Sequence, residues 1–314
     1  MWNVSDQRSQ EYAALAAAIP RISDGELRSA MTEALLSFDN GTHQAVEPEA
    51  RGFDVLVLAV KPVELEACLT VFGVDRRQPP FVIGHTGLCG WTTCVNGSDI
   101  LISMVGSAGN VQTAVVMNEL KTSFNLRCAA LVGMAAGLEG KVSLGDVVVA
   151  EQILEYEFAR MTVDGPMYQP RPTPVSPRYL RSAELVSRNA SDWTAKCRAF
   201  AIEASTRTTE ASVNDRTLGV WQPRVHLGVV LAGAKLLEDG SLPQLQLDLH
   251  DRVRAAEMEG AGFSAVCEAA EVDWMVVRGI ADFGKPKRAK NWQLPSTVAA
   301  ANYVRETLLQ GLAP

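Results

Sequence analysis

Two carboxylates frame one stretch of the chain. Within EMEGAGFSAVCEAAEVDWMVVRGIADF, Glu257 to Phe283, Glu259 opens a small-residue segment and Asp282 follows the apolar run beyond it. Paired carboxylates suit acid–base chemistry: one stays neutral and gives up a proton, the other stays ionised and holds a polar group. A third acid, Glu64, sits in KPVELEA just after another apolar run. A glutamate at a helix start is ordinarily solvated, and Glu66 could equally be the exposed one of the two. Lys285, Lys287, Arg288 and Lys290 crowd behind Asp282. They read either as a solvated loop in an acidic protein or as a phosphate clamp at the mouth of a site.

These side chains need elements to hold them. Ala261, Ala265, Val266 and Ala269 recur at helical spacing. Trp274 to Val277 is the short apolar run of a strand covered on both faces. Asp282 then falls just past a strand's carboxyl end, where open α/β sheets build their sites. Phe53 to Val60 (FDVLVLAV) reads as a buried strand, and Pro62 starts the helix that carries Glu64. Strands are predicted at Phe81 to Ile83, Trp91 to Val95, Ile100 to Met104, Cys128 to Val132, Val147 to Ala150 and Val225 to Leu231. Helices are predicted from Val111 to about Phe124, around Tyr179 to Arg188, from Trp193 to Arg207 and from Trp292 to Leu309. The Pro-rich segment Gly165 to Pro177 reads as a long loop. Strands alternate with helices, which predicts an α/β fold with one central, mixed sheet.

Two small-residue turns lie on this frame. Gly106-Ser107-Ala108-Gly109 can offer backbone N–H groups to an anion or polar ligand. It is neither GxGxxG nor a Walker loop, and close strand–helix packing is its plainer meaning. Gly133-Met134-Ala135-Ala136-Gly137 follows a buried strand and would let a ligand approach the backbone. The Gly145-Asp146 turn reads as structural.

Composition narrows the function classes. The chain has 314 residues, 47% hydrophobic and 21% charged, with net charge −7. That balance disfavours a broad electrostatic grip on nucleic acid or an acidic membrane. No apolar run is long enough to span a bilayer. Six cysteines without CxxC or a regular framework suggest a reducing cytoplasm, and no signal peptide is evident at the N-terminus. Four scattered histidines, with no His/Cys cluster, give no expectation of a metal site, and no cofactor is expected. Residues 1–50 stand apart, with eight acids against three basic residues. Ser23 to Glu26 reads as a capping box before a helical stripe. A helical hairpin packed on its own domain is the plainer reading; an adaptor for a regulatory partner or a second copy is the sharper one. The division expected is therefore an extension and linker over 1–50 and a single domain over 51–314.

Five pieces, in order, resemble the nucleoside phosphorylase/nucleosidase superfamily. They are FDVLVLAVKPVELEA, MVGSAGN, LVGMAAGLEGKVSLGDVVVAE, AAEMEGAG and VVRGIADF. The resemblance, from about Phe53 to Leu309, implies a single phosphorylase/nucleosidase-like domain with a central mixed sheet flanked by helices. It implies that Asp282 protonates or hydrogen-bonds N7 of a purine. It implies that Glu259 holds the ribose hydroxyls, that Met258 packs under the sugar and that Glu64 activates water. Gly106, Ser107 and Gly109 would line the ribose and nucleophile side, beside Met134. Phosphorylases of the family hold phosphate with an arginine and a serine where this chain has Leu131 and Met134, so hydrolysis is the expected reaction. The resemblance also implies a homodimer or larger assembly.

EYEFARMTVDGPMY and the end of the chain are similar to the phosphorylase-like effector branch of bacterial immune systems, some of which degrade adenine nucleotides such as ATP. The Lys285, Lys287 and Arg288 loop would suit a 5′-phosphate chain. The other readings are a housekeeping purine nucleosidase or phosphorylase, acting on adenosine or methylthioadenosine/S-adenosylhomocysteine, and a non-catalytic nucleotide sensor. Leu231-Ala232-Gly233-Ala234 stands where relatives often carry Ser-Gly-Asp or Ser-Gly-Asn, so the base pocket is expected to differ.

Overall fold

The computed structural model describes Thr32 and residues 52–310, apart from 78, 84–86, 164, 177–178, 182–189, 210–211 and 287–289. The helices expected within residues 1–50 lie outside the described residues, as do Lys287 and Arg288.

Apolar patterning builds the first half of the fold. Strand β1 (Gly52–Ala59) is buried almost throughout, and Pro62 starts helix α1 (Pro62–Val71). Proline suits this first helical position because its missing N–H has no partner there anyway. Next come β2 (Phe81–Ile83), β3 (Leu88–Val95) and β4 (Ser98–Met104), an antiparallel meander. Helix α2 (Asn110–Ser123) leads into β5 (Asn125–Gly137), at 13 residues longer than any other described strand. The small-residue run from Gly133 to Gly137, expected after the strand, is the second half of β5. Its backbone pairs with two neighbours, and that ladder outweighs the weak strand preference of Gly and Ala.

The second half closes the sheet. Strand β6 (Val147–Glu155) is followed by the hairpin β7 (Ala159–Thr162) and β8 (Gly165–Tyr168), then β9 (Arg171–Pro174), which pairs with β6. Much of the loop expected over Gly165 to Pro177 is thus strand. Pro172 and Pro174 sit on a terminal strand of the sheet, where a missing donor is tolerated. Helices α3 (Ala190–Ser205) and α4 (Asp215–Val220) precede β10 (Val225–Ala232). Helix α5 (Leu242–Leu249) and β11 (Val253–Glu257), neither of them predicted, lead to α6 (Gly260–Ala269). The chain ends with β12 (Asp273–Asp282), a 3₁₀ turn and α7 (Gln293–Leu309).

Nine of the described strands form one mixed sheet in the order β11-β10-β6-β12-β5-β1-β4-β3-β2, to which β9 is joined through β6, while β7 and β8 form a separate two-stranded sheet. Ala136 and Gly137 at the end of β5 also pair with Ala256 and Ala255 of β11. Strands β5, β12, β6, β10 and β11 therefore close into a small ring, with β1 to β4 extending from it. Helices α1, α3 and α7 pack together as one layer, and α2 packs on α6. Burial pushes the Cys89 and Cys197 thiols up to about 12, so these cysteines serve as small apolar side chains. No described helix is long and apolar enough to cross a membrane.

Candidate active site

Parallel pairing of β1 with β4 and β5, and of β5 with β12, brings their carboxyl ends to one side, and the antiparallel pairing of β11 with the tip of β5 brings the carboxyl ends of β11 and its parallel neighbour β10 to meet them. A cleft open to solvent lies there. Val60, Lys61 and Glu64 line it from the β1–α1 corner, Ala108 from the turn after β4, and Met134 to Ala136 from β5. Lys235 to Leu237, Ala256 to Glu259 and Asp282 complete the wall. Glu64, Met134, Met258, Glu259 and Asp282, which are distant in sequence, thus share one cavity.

Glu64 is buried at the third position of α1. Its Oε2 accepts the N–H groups of Val60 and Lys61, each at 2.9 Å, and its Oε1 accepts Met134 N–H, also at 2.9 Å. Burial pushes its carboxyl above the ordinary glutamate range. The Arg278 guanidinium opposes that rise, the Glu259 carboxylate adds to it, and the Met134 N–H opposes it. A carboxylate whose proton affinity is raised in this way is a stronger base toward a bound water than a solvated glutamate. Glu66 is also buried, not exposed: it pairs with Arg76 at 2.6 Å and accepts from Thr70 at 2.9 Å. It faces away from the cleft into a structural pair.

Arg278, on β12, is fully buried and was assigned no role from sequence. Its Nη2 donates to Glu257 and, at 3.3 Å, to Glu259. Burial favours its neutral form, but Glu257, Glu259 and Glu64 together outweigh that and raise its pKa, so it stays charged. Glu257 is likewise raised by burial, with Arg278 opposing. Glu257 also caps the turn into α6, accepting the N–H groups of Glu259 at 3.0 Å and Gly260 at 2.9 Å. A side chain at Gly133 would strike Arg278 Nη1 and lie 2.5 Å from Glu64 Oε1. The bare backbone of β5 therefore lets the arginine and Glu64 approach each other. The signal for Arg278 was present: an arginine inside a buried apolar strand needs acidic partners.

Glu259 is tied from two sides. Besides Arg278, it accepts Gly109 N–H at 3.1 Å. Gly109 has φ 122, a backbone conformation that excludes ordinary side chains, and it starts α2. Gly106 donates its N–H to Val60 at 3.0 Å, joining the two turns. Ser107 is exposed. Asp282 is the last residue of β12 rather than lying beyond it. Pairing with β5 skips from Ile280 to Asp282, a bulge that re-aims the side chain. Its Oδ1 accepts Gly284 N–H at 2.8 Å. Lys285 pairs with Glu139 and is not part of the cleft wall.

The arrangement offers a buried carboxyl with raised proton affinity, a second carboxylate held by an arginine and a loop N–H, and a third at the far wall. A cationic or electron-poor ring held among them would be stabilised by the first two, and a leaving group would meet the third.

The chain is 29% identical over 270 residues to ATP nucleosidase Cap17 of Escherichia coli (strain KTE188), covering 82% of this chain and 51% of that protein. It thus spans about half the length of that relative. It is 27% identical over 177 residues to the 5′-methylthioadenosine/S-adenosylhomocysteine nucleosidase of Mycobacterium bovis, covering 55% of this chain and 66% of that one. Among solved structures it shares its fold with a Helicobacter pylori methylthioadenosine nucleosidase mutant holding 5′-methylthioadenosine. There the TM-score is 0.62 at 16% identity, over 82% of this chain and 99% of the other. Residues 56–310 match the Phosphorylase superfamily, and the chain belongs to that family.

Proposed function

We propose that the protein hydrolyses the N-glycosidic bond of an adenine nucleotide, ATP foremost, to adenine and the ribose phosphate. Glu64 activates the water, Glu259 holds the ribose hydroxyls over Met258, and Asp282 protonates or hydrogen-bonds N7 of the departing base. Breaking this bond builds positive charge on the sugar and negative charge on the base, which is what two carboxylates and an acid can accommodate. The observation that carries the reading is Glu64, buried in the cleft wall with its proton affinity raised beside Arg278. Water is the better nucleophile because Leu131 and Met134 occupy the positions where phosphorylases hold phosphate.

The likeness to an ATP nucleosidase supports a nucleotide substrate. We propose in addition, from the resemblance of EYEFARMTVDGPMY to the immune effector branch and from the scattered free cysteines, that the protein acts as an antiphage effector in the cytoplasm. The likeness to methylthioadenosine/S-adenosylhomocysteine nucleosidases keeps a nucleoside substrate as the second reading. We further propose that residues 51–314 form the catalytic domain, that it works as a homo-oligomer, and that residues 1–50 receive a regulatory partner. The test is adenine release from ATP, AMP, adenosine, methylthioadenosine and inosine, with and without phosphate. Free adenine from ATP in phosphate-free buffer is the expected result. Release only with phosphate makes the protein a phosphorylase, and no base from any substrate makes it a sensor.

A further inference from the structure

We infer that Lys61 receives the 5′-phosphate chain of the nucleotide. This deepens the proposed hydrolysis and rests on it for the placement of base and sugar.

The order of strands gives the cleft an axis. Asp282 ends β12, and Leu236 and Leu237 follow β10, so the base lies over the ring of strands. Glu64, Met134, Met258 and Glu259 stand nearer β5 and β11, where the sugar lies. Beyond β5 the sheet continues to β1 and then β4. Strands are spaced about 4.8 Å apart, so a substituent leaving the sugar away from the base runs over the ends of β1 and β4. There the cleft wall is Val60, Lys61 and Ala108.

Charge makes the same assignment. Four acids line the cleft (Glu64, Glu257, Glu259 and Asp282) and repel a polyphosphate. Among the described residues two lysines line it, Lys61 and Lys235. Lys235 stands at the base end and pairs with Glu157 at 3.1 Å. Lys285 pairs with Glu139 outside the cleft. Lys61 is exposed, and its ammonium makes no ion pair among the described residues. It lies near enough to Glu64 for its charge to favour the ionised carboxylate. A cation in that position can neutralise a phosphate and keep Glu64 ionised when substrate is bound. An alkylthio substituent would gain nothing from it.

The experiment compares wild type, Lys61→Met and Lys61→Arg on ATP, AMP and adenosine. For Lys61→Met, the ratio of kcat/KM for ATP to that for adenosine falls by about tenfold or more, with AMP intermediate. Most of the loss lies in KM, and Lys61→Arg restores the ratio. An equal loss on ATP and adenosine overturns the inference, because Lys61 then acts only through Glu64 or the fold. If no substrate releases adenine, the hydrolysis reading fails by itself. Calorimetric titration with ATP then decides about Lys61: weaker binding by Lys61→Met sustains its role, and equal binding overturns it.

Discussion

At the scale of single residues, the site is a balance of burial against positive charge, chiefly that of Arg278. Three carboxylates, Glu64, Glu257 and Glu259, share Arg278. Glu64 must be ionised to accept a proton, yet burial favours its neutral form. The acid limb of the kcat/KM profile is therefore expected above the ordinary glutamate range, and Glu64→Gln is expected to lose about a hundredfold or more in kcat while keeping its circular dichroism. Stability runs the other way. With the native pKa above the unfolded value, protonation favours folding; that contribution is complete below the ordinary glutamate pKa and lost as pH rises through the raised native one. Wild type should therefore lose stability relative to Glu64→Gln as pH climbs through this window, as denaturant titration at stepped pH would measure. Arg278→Met leaves three buried acids without their cation. It is expected to cost about 3–5 kcal/mol in thermal or chemical unfolding. In whatever protein remains folded, the acid limb should move to still higher pH, because the group that opposed Glu64's rise is gone.

At the scale of elements, the cleft depends on pieces being locked at their ends. Asn110, first residue of α2, donates to Gly233 at the end of β10 at 3.2 Å and accepts from Gly262 of α6 at 3.0 Å. Asn110→Ala leaves both backbone groups without that partner and is expected to cost about 1–3 kcal/mol, read from the denaturation midpoint. Since Gly109 next to it donates to Glu259, KM should rise as well. Elements with a local signature were legible in the sequence: β1 and α1 by an apolar run closed by proline, β12 by its covered strand, α7 by its length. Elements made by distant partners were not. VRAAE of β11 has the composition of a helix, and only β10 and the tip of β5 make it a strand. The same holds within the cleft. Glu64, Glu259 and Asp282 announce themselves beside turns and strand ends, whereas the bond of Arg278 to Glu257 exists only once β12 and β11 are in place.

At the scale of the molecule, the Phosphorylase superfamily match begins at residue 56, after the acidic N-terminal stretch. A chain of residues 51–314 is expected to unfold in one cooperative transition within a few degrees of the longer one, as scanning calorimetry would register. Closure of the strand ring through β5 and β11 has a consequence in time. Glu64 leaves the ribosome early, but the strand that carries Arg278 and Asp282 is the last of the sheet, and β5 cannot complete its pairing until β11 and β12 have been made. Such long-range closure is a late event in folding. Under the proposed ATP hydrolysis, the nascent chain would therefore stay harmless on the ribosome that makes it, since no chain that lacks β12 holds all of the site.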